Sequence, residues 1–165
     1  AAMRSLWDGA PGAEARYSRQ VLTAYAAARM PVSAELAGDA PDLIASMLTA
    51  GLDANALKWA GQVDAGSLGW GMLAVAAPGR GTSVDGGTLD SFYGNDPSDD
   101  YRKSGFLLAG LAGLGRVDDA TRQDFAGKLG VDLDRRTNWT RLIDQAAEQD
   151  DRGDRYQRPA QIRHA

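Results

Sequence analysis

The chain has 165 residues, of which 44% are hydrophobic, so it is long enough to bury a core within one domain. It contains no cysteine, which excludes thiolate nucleophiles, cysteine-type zinc sites and disulfides. Its single histidine, His164, is the penultimate residue of a polar tail, which removes a Ser-His-Asp triad and any multi-histidine metal site. The 18 basic and 22 acidic residues give a formal net charge of −4.

Two classes of partner are disfavoured by the same composition. No dense basic stripe occurs before the tail, and nucleic acid binding normally requires clustered Lys and Arg. No apolar run reaches the roughly eighteen residues that a membrane-spanning helix requires, so no membrane insertion is expected and the chain is predicted to be soluble.

The first amphipathic helix is predicted from about residue 13 to residue 30, because Pro31 forbids its continuation. A short helix follows at residues 33–36. The next helix is expected to begin at the N-cap Asp39 and to end at Gly51. The large apolar residues of the first helix fall along one side: Tyr17, Val21, Leu22 and Tyr25. The buried side of the later helix is predicted to be Leu43, Ile44, Met47 and Leu48.

Further helices follow in chain order. Asp53 is predicted to cap a helix that runs to about residue 62, and residues 88–93 could form one or two helical turns. The most apolar segment, residues 101–114, is predicted to be a central core helix. Its small residues Ala109 and Gly113 would let another helix approach closely. Asp118 then caps a helix that ends near residue 128.

Two tryptophan helices share one apolar pattern at positions i, i+3, i+4 and i+7, 69 residues apart. Their caps are predicted to be Ser67 and Asn138. The repeated faces are Trp70, Leu73, Ala74 and Ala77, and then Trp139, Leu142, Ile143 and Ala146. Burial in the core is predicted for Trp70 and Trp139. Trp7 and Trp59 are less constrained, and Trp7 could pack against a preceding helix.

Residues 107–126 resemble a tetratricopeptide-type helical hairpin. The matching residues are Leu108, Leu111 and Ala112, the corner Leu114-Gly115-Arg116-Val117-Asp118-Asp119-Ala120, and then Phe125 and Ala126. The resemblance implies that the corner turns the chain and that Ala120 sits where two helices meet. The tryptophan stretches recur at 69 residues rather than at the family's period of about 34. This spacing favours a degenerate repeat of about 60–70 residues per four-helix unit.

These patterns predict an all-α fold, an array of seven to eight antiparallel helices paired as hairpins, either α-solenoid-like or an irregular bundle. One domain is expected over residues 1–149, followed by a flexible polar tail over residues 150–165. The chain could be the C-terminal part of a longer protein, which its array-like start favours, or an exported domain released from a signal peptide. The compartment, cytoplasmic or exported, stays open.

The expected function is protein interaction or scaffolding through the groove between successive helices. The partner would be another protein or preceding repeats of the same chain, and no cofactor is expected. The polar helix at residues 137–149 could also cap the end of an array, because terminal repeats need a polar outer face.

An acidic loop between two predicted helices provides the alternative. Asp96, Asp99 or Asp100, with a nearby tyrosine, could supply the catalytic groups of a hydrolase acting on carbohydrate or peptidoglycan. A cation such as Ca²⁺ could instead be held by oxygen ligands of this loop. The candidate cation ligands are Asp90, Asn95, Asp96 and Asp99. These residues could also simply cap helices and solvate a turn. An enzyme requires at least two of the carboxylates to converge in a cleft with perturbed ionisation.

Overall fold

The computed structural model describes residues 2–76, 83–132, 141 and 145. The described residues contain helices and no strand, which confirms the all-α prediction, and the number of helices agrees with the predicted seven to eight. None of these helices is long and apolar enough to cross a bilayer. The eight α-helices are α1 (Ala2–Asp8), α2 (Ala13–Ala27), α3 (Ala40–Thr49), α4 (Asp53–Leu57), α5 (Leu68–Ala76), α6 (Gly86–Gly94), α7 (Arg102–Gly113) and α8 (Asp119–Leu129).

Three 3₁₀ helices complete the described secondary structure: Ala34–Asp39, Ala60–Gln62 and Asp99–Tyr101. The predicted short helix at residues 33–36 corresponds to the first of them. The second tryptophan helix, with Asn138 and Trp139, and the tail at 150–165 lie outside the described residues. Of the residues predicted to form that helix, only Arg141 and Gln145 are described, and both are helical and exposed.

The first of two apolar cores is built around α3, which packs on α2, α4 and α5. Its predicted side is confirmed by Leu43, Ile44 and Met47, which are buried. The residues that α2 turns towards this core are small, Ala24 and Ala27. The large apolar side chains of α2 are instead exposed to solvent.

Trp7 and Trp59, whose placement the sequence pattern constrained less, both belong to this first core. Each is only 1% exposed. The indole Nε1 of Trp7 donates a hydrogen bond to Thr23 Oγ1 at 2.9 Å, and this bond allows the ring to be buried without a lost donor. Trp70 is only half-buried and lies tilted against Phe92, with ring centroids 6.4 Å apart.

The second core joins α6, α7 and α8, with α5 packing on α7. Its buried residues are Ala74, Leu89, Phe92, Leu107, Leu108, Leu111, Phe125 and Ala126. The close approach of two helices occurs at Gly110, where an added Cβ would lie 3.0 Å from Val75 Cγ1 of α5. The prediction had placed such an approach at Ala109 and Gly113. Helix α7 is also not buried all round, because Phe106 is 66% exposed.

Two of the predicted N-caps are confirmed by capping hydrogen bonds in the structure, and two are not. Ser67 Oγ accepts the backbone N–H of Trp70 at 3.2 Å, which confirms this cap. Asp118 Oδ1 accepts the N–H of Thr121 at 2.9 Å, as predicted. Asp39 precedes α3 without a capping bond, because its carboxylate pairs instead with Arg4 of α1. Asp53 is the first residue of α4 rather than its cap.

Residues 107–126 form most of α7 and α8 with the corner between them. Gly115 has a φ of +63°, which glycine adopts without steric cost. Leu108, Leu111 and Phe125 are buried in the second core, whereas Ala120 is exposed. The hairpin is present, and its kinship with tetratricopeptide repeats stays a prediction.

Candidate functional site

Asp96, the first candidate catalytic residue, lies in the turn between α6 and α7. Its Oδ1 accepts hydrogen bonds from the backbone N–H and hydroxyl of Ser98, at 2.9 and 2.6 Å. Its Oδ2 accepts from the N–H and hydroxyl of the fully buried Ser104, both at 2.8 Å. Both oxygens are therefore engaged in fixing the start of α7.

Asp96 is also a poor proton donor. Partial burial alone would raise the pKa of its carboxyl group, but the four hydrogen bonds outweigh it and lower the pKa to about 2. A general acid must be protonated at working pH. Asp96 is ionised at neutral pH, and its charge stabilises the fold.

Asp99 and Asp100 do not form a shared catalytic centre with Asp96. The side chain of Asp99 is 92% exposed and lies 3.4 Å from Arg102, one turn further along. Asp100 is exposed and has a left-handed backbone, with φ of 53°. A hydrolase requires catalytic carboxylates that converge in a cleft, and these three carboxylates do not.

The candidate cation ligands are likewise dispersed. Asp90 pairs with Lys128 of α8 at 2.7 Å, and Asn95 is exposed at the end of α6. Within residues 2–76 and 83–132, no three His, Cys, Asp or Glu side chains are grouped so as to hold a metal ion. The predicted cation ligands are therefore not gathered in one place.

A tertiary cluster that the sequence did not predict lies beside this loop. The rings of Tyr93 and Tyr101 are stacked at 4.0 Å, and Lys128 Nζ lies 4.7 Å from the centre of the Tyr93 ring. The hydrogen bond with Tyr101 is the main cause of a raised pKa at Tyr93. These contacts join residues from α6, the 3₁₀ helix and α8, so no local sequence pattern could have revealed them.

The groove between α6 and α8 is small for a ligand site. Its volume is about 250 Å³, below the roughly 300–1,000 Å³ typical of small-molecule pockets. The only acid–base pair among its lining residues, Asp90 and Lys128, is internally neutralised. The lining residues are Gly86, Asp90, Thr121, Asp124, Phe125 and Lys128.

The outer face of α2 carries a more unusual feature, a stripe of large exposed apolar side chains. We call Tyr17, Val21, Leu22 and Tyr25 the α2 ridge. Their exposed fractions are 57%, 37%, 83% and 68%. Contiguous exposed apolar surface on a globular protein marks an interaction site more often than isolated exposed residues do. The sequence had placed these residues along one side of the helix, and the structure places that side in solvent.

Opposite charges lie at the two ends of this ridge. Glu14 is exposed in the first turn of α2, and Arg29 is exposed in the tight turn that continues the helix. Within the described part of the chain, neither side chain takes part in an ion pair. The basic residues on the inner side of α2 behave differently, since Arg16 pairs with Asp42 at 2.6 Å and Arg19 donates to the Leu6 carbonyl.

A second apolar surface lies between α5 and α7, in a groove of about 180 Å³. Phe106 stands at its edge beside Lys103. This is the kind of inter-helix groove that the sequence analysis expected to bind a partner. It is lined by Leu68, Gly71, Met72, Val75, Phe92, Lys103, Phe106 and Leu107.

Comparison of this chain with known proteins identifies no relative. No protein-family model, curated protein or solved structure matches this chain. The function of the protein must therefore be inferred from the geometry of the described residues.

Proposed function

We propose that this chain is a protein-interaction domain that binds an amphipathic helix along the α2 ridge. The observation that carries the proposal is that the buried residues of α2 are Ala24 and Ala27, while its tyrosines and Leu22 are exposed to solvent. A helix of a monomeric domain normally turns its large apolar residues inward. The reversed arrangement is understandable if the outer face is buried in a complex.

The composition of the ridge suits protein recognition. Tyrosine is enriched at interfaces because it provides a large apolar area, a polar tip and few rotatable bonds. Tyr17 and Tyr25 lie two helical turns apart, with Leu22 between them. Burying one leucine side chain is worth about 1.5–3 kcal/mol relative to leaving it exposed. The ridge therefore offers several such contributions to a partner that covers it.

The ridge is held on a rigid support. Trp7 of α1 binds Thr23, and the buried hydroxyl of Ser46 in α3 donates to the carbonyl of Gln20 at 2.7 Å. Arg16 adds an ion pair with Asp42. These bonds fix α2 to both neighbouring helices, so its outer face needs little ordering when a partner binds.

The chemistry of the ridge specifies a helical partner. The apolar side chains of the ridge extend about 12 Å along α2, from residue 17 to residue 25 at 1.5 Å per residue, and they suit the apolar stripe of another helix. Glu14 favours a basic group at one end of that stripe, and Arg29 favours an acidic group at the other. A catalytic role finds less support, since Asp96 is engaged in fixing the start of α7, whereas Asp99 and Asp100 are exposed.

The proposal can be tested by photo-crosslinking in the cells that naturally produce the protein. The photoreactive residue benzoylphenylalanine is placed at Leu22 and, as a matched control, at the exposed Gln123 of α8. We expect a discrete adduct at Leu22 alone, with the crosslinked helix identified by mass spectrometry. An intramolecular crosslink, or no intermolecular adduct above the control, would overturn the proposal.

A further inference from the structure

We infer that the helix bound by the α2 ridge is α2 of a second copy of this chain, packed antiparallel about a two-fold axis. This inference rests on the proposed function and specifies its partner. The observation behind it is the symmetric placement of charge on the ridge. The midpoint between Glu14 and Arg29 falls between Val21 and Leu22, at the centre of the ridge.

Antiparallel packing about that centre pairs each position with its mirror position. Glu14 of one copy lies level with Arg29 of the other, and Val21 lies level with Leu22. Each of these pairs occurs twice because the two-fold axis repeats it. The ridge is therefore complementary to itself in charge and in apolar character. Parallel packing would instead place Glu14 beside Glu14 and Arg29 beside Arg29.

The spacing of the face also fits a helix pair. Glu14, Ser18, Val21, Tyr25 and Arg29 follow one another at intervals of four, three, four and four residues, which keeps them on one side of the helix. This is the spacing of a two-helix seam, in which side chains of one helix pack between those of the other. Ser18 lies level with Tyr25 of the second copy, so a small residue meets a large one.

The strength of such a dimer is limited by its size. Two helices of 15 residues bury less than the roughly 1,200 Å² at the lower end of stable interfaces. Association is therefore weak and depends on concentration. We expect it to become measurable between about 10 µM and 1 mM.

Sedimentation equilibrium of charge-reversed variants tests the inference. Glu14→Arg and Arg29→Glu each place like charges opposite one another at both ends of the homodimer, so each variant alone should dimerise about tenfold more weakly than the wild-type chain. An equimolar mixture of the two restores opposite charges at both ends. The mixture should therefore recover wild-type affinity to within about twofold.

Two controls separate this surface from general charge effects and from unfolding. Glu35→Arg and Lys58→Glu reverse exposed charges away from the ridge, and neither these variants nor their mixture should alter dimerisation. Leu22→Glu should abolish it while leaving the helical circular dichroism unchanged, because Leu22 is 83% exposed.

The outcomes distinguish this inference from the function on which it rests. A wild-type chain that stays monomeric to about 1 mM overturns the second-copy inference. The proposed function then still stands if the photo-crosslink at Leu22 captures a helix of another identified protein. The inference is also overturned if Leu22→Glu leaves dimerisation unchanged, or if the mixture of charge variants does not recover wild-type affinity. In either case the two copies would associate through another surface.

Discussion

Asp96 and Ser104 are joined twice, through the backbone N–H and the hydroxyl of Ser104, both at 2.8 Å from Oδ2 of Asp96. Eight residues separate the two in sequence. Ser104 is fully buried in α7. These two hydrogen bonds therefore fix the start of the helix from the preceding turn. One of the three carboxylates that the sequence offered as catalytic groups is thus a structural anion.

Replacing Asp96 should therefore destabilise the fold. Asp96→Asn keeps the shape but removes the charge and one acceptor oxygen, so the N–H of Ser104 or Ser98 loses its partner. We expect the free energy of unfolding to fall by about 1–3 kcal/mol in urea denaturation. Asp99→Asn is the matched control, since that side chain is 92% exposed, and its effect should stay within about 0.5 kcal/mol. Equal effects of the two changes would contradict the anchoring role.

The same carboxylate predicts a pH dependence. The pKa of Asp96 is about 2 in the folded protein, against an ordinary value of 3.8. A lowered folded pKa contributes stability that is fully present above pH 3.8 and is lost as the pH falls through 2. The difference in unfolding free energy between wild type and Asp96→Asn should therefore shrink by about 1–2 kcal/mol between pH 6 and pH 2. A difference that grows with acidity would contradict this assignment.

Two helical glycines should respond to alanine with opposite signs. At Gly71 of α5, an added Cβ would lie 2.5 Å from Cε2 of Phe92 in the second core, so Gly71→Ala should lower the free energy of unfolding by about 1–3 kcal/mol. At Gly105 of α7, no atom lies within 4 Å of that position. Gly105→Ala should raise stability by up to about 1 kcal/mol through helix propensity. Thermal unfolding of both variants checks this, and a shift of equal sign would refute the packing argument.

Local patterns predicted the parts of the fold that depend on neighbours in sequence. The caps at Ser67 and Asp118 were found because a capping side chain bonds a backbone N–H three residues later, a spacing that the sequence displays directly. The buried side of α3 was found because Leu43, Ile44 and Met47 repeat with the helical period.

The parts that depend on tertiary packing could not be predicted. Periodicity identifies an apolar side of α2 but does not say which side faces the core, and the approach of α3 leaves room there only for Ala24 and Ala27. The bond from Lys128 to Asp90 spans 38 residues, and the hydroxyl oxygen of Thr23 that accepts the hydrogen bond from Trp7 is on another helix. The sequence consequently indicated a binding groove between successive helices, with the acidic loop as the alternative, and did not reveal that this side of α2 is exposed.

Disulfide trapping tests most directly whether α2 packs antiparallel on α2 of a second copy. The chain has no cysteine, so a single introduced cysteine reports only on its own position. In the antiparallel pair, two copies of position 22 lie beside the axis, whereas two copies of position 17 are about 13 Å apart along it, at 1.5 Å per residue. Mild oxidation should therefore link Leu22→Cys into a dimer and leave Tyr17→Cys monomeric. Equal trapping of both variants, or trapping of Tyr17→Cys alone, would contradict antiparallel packing of α2 on a second α2.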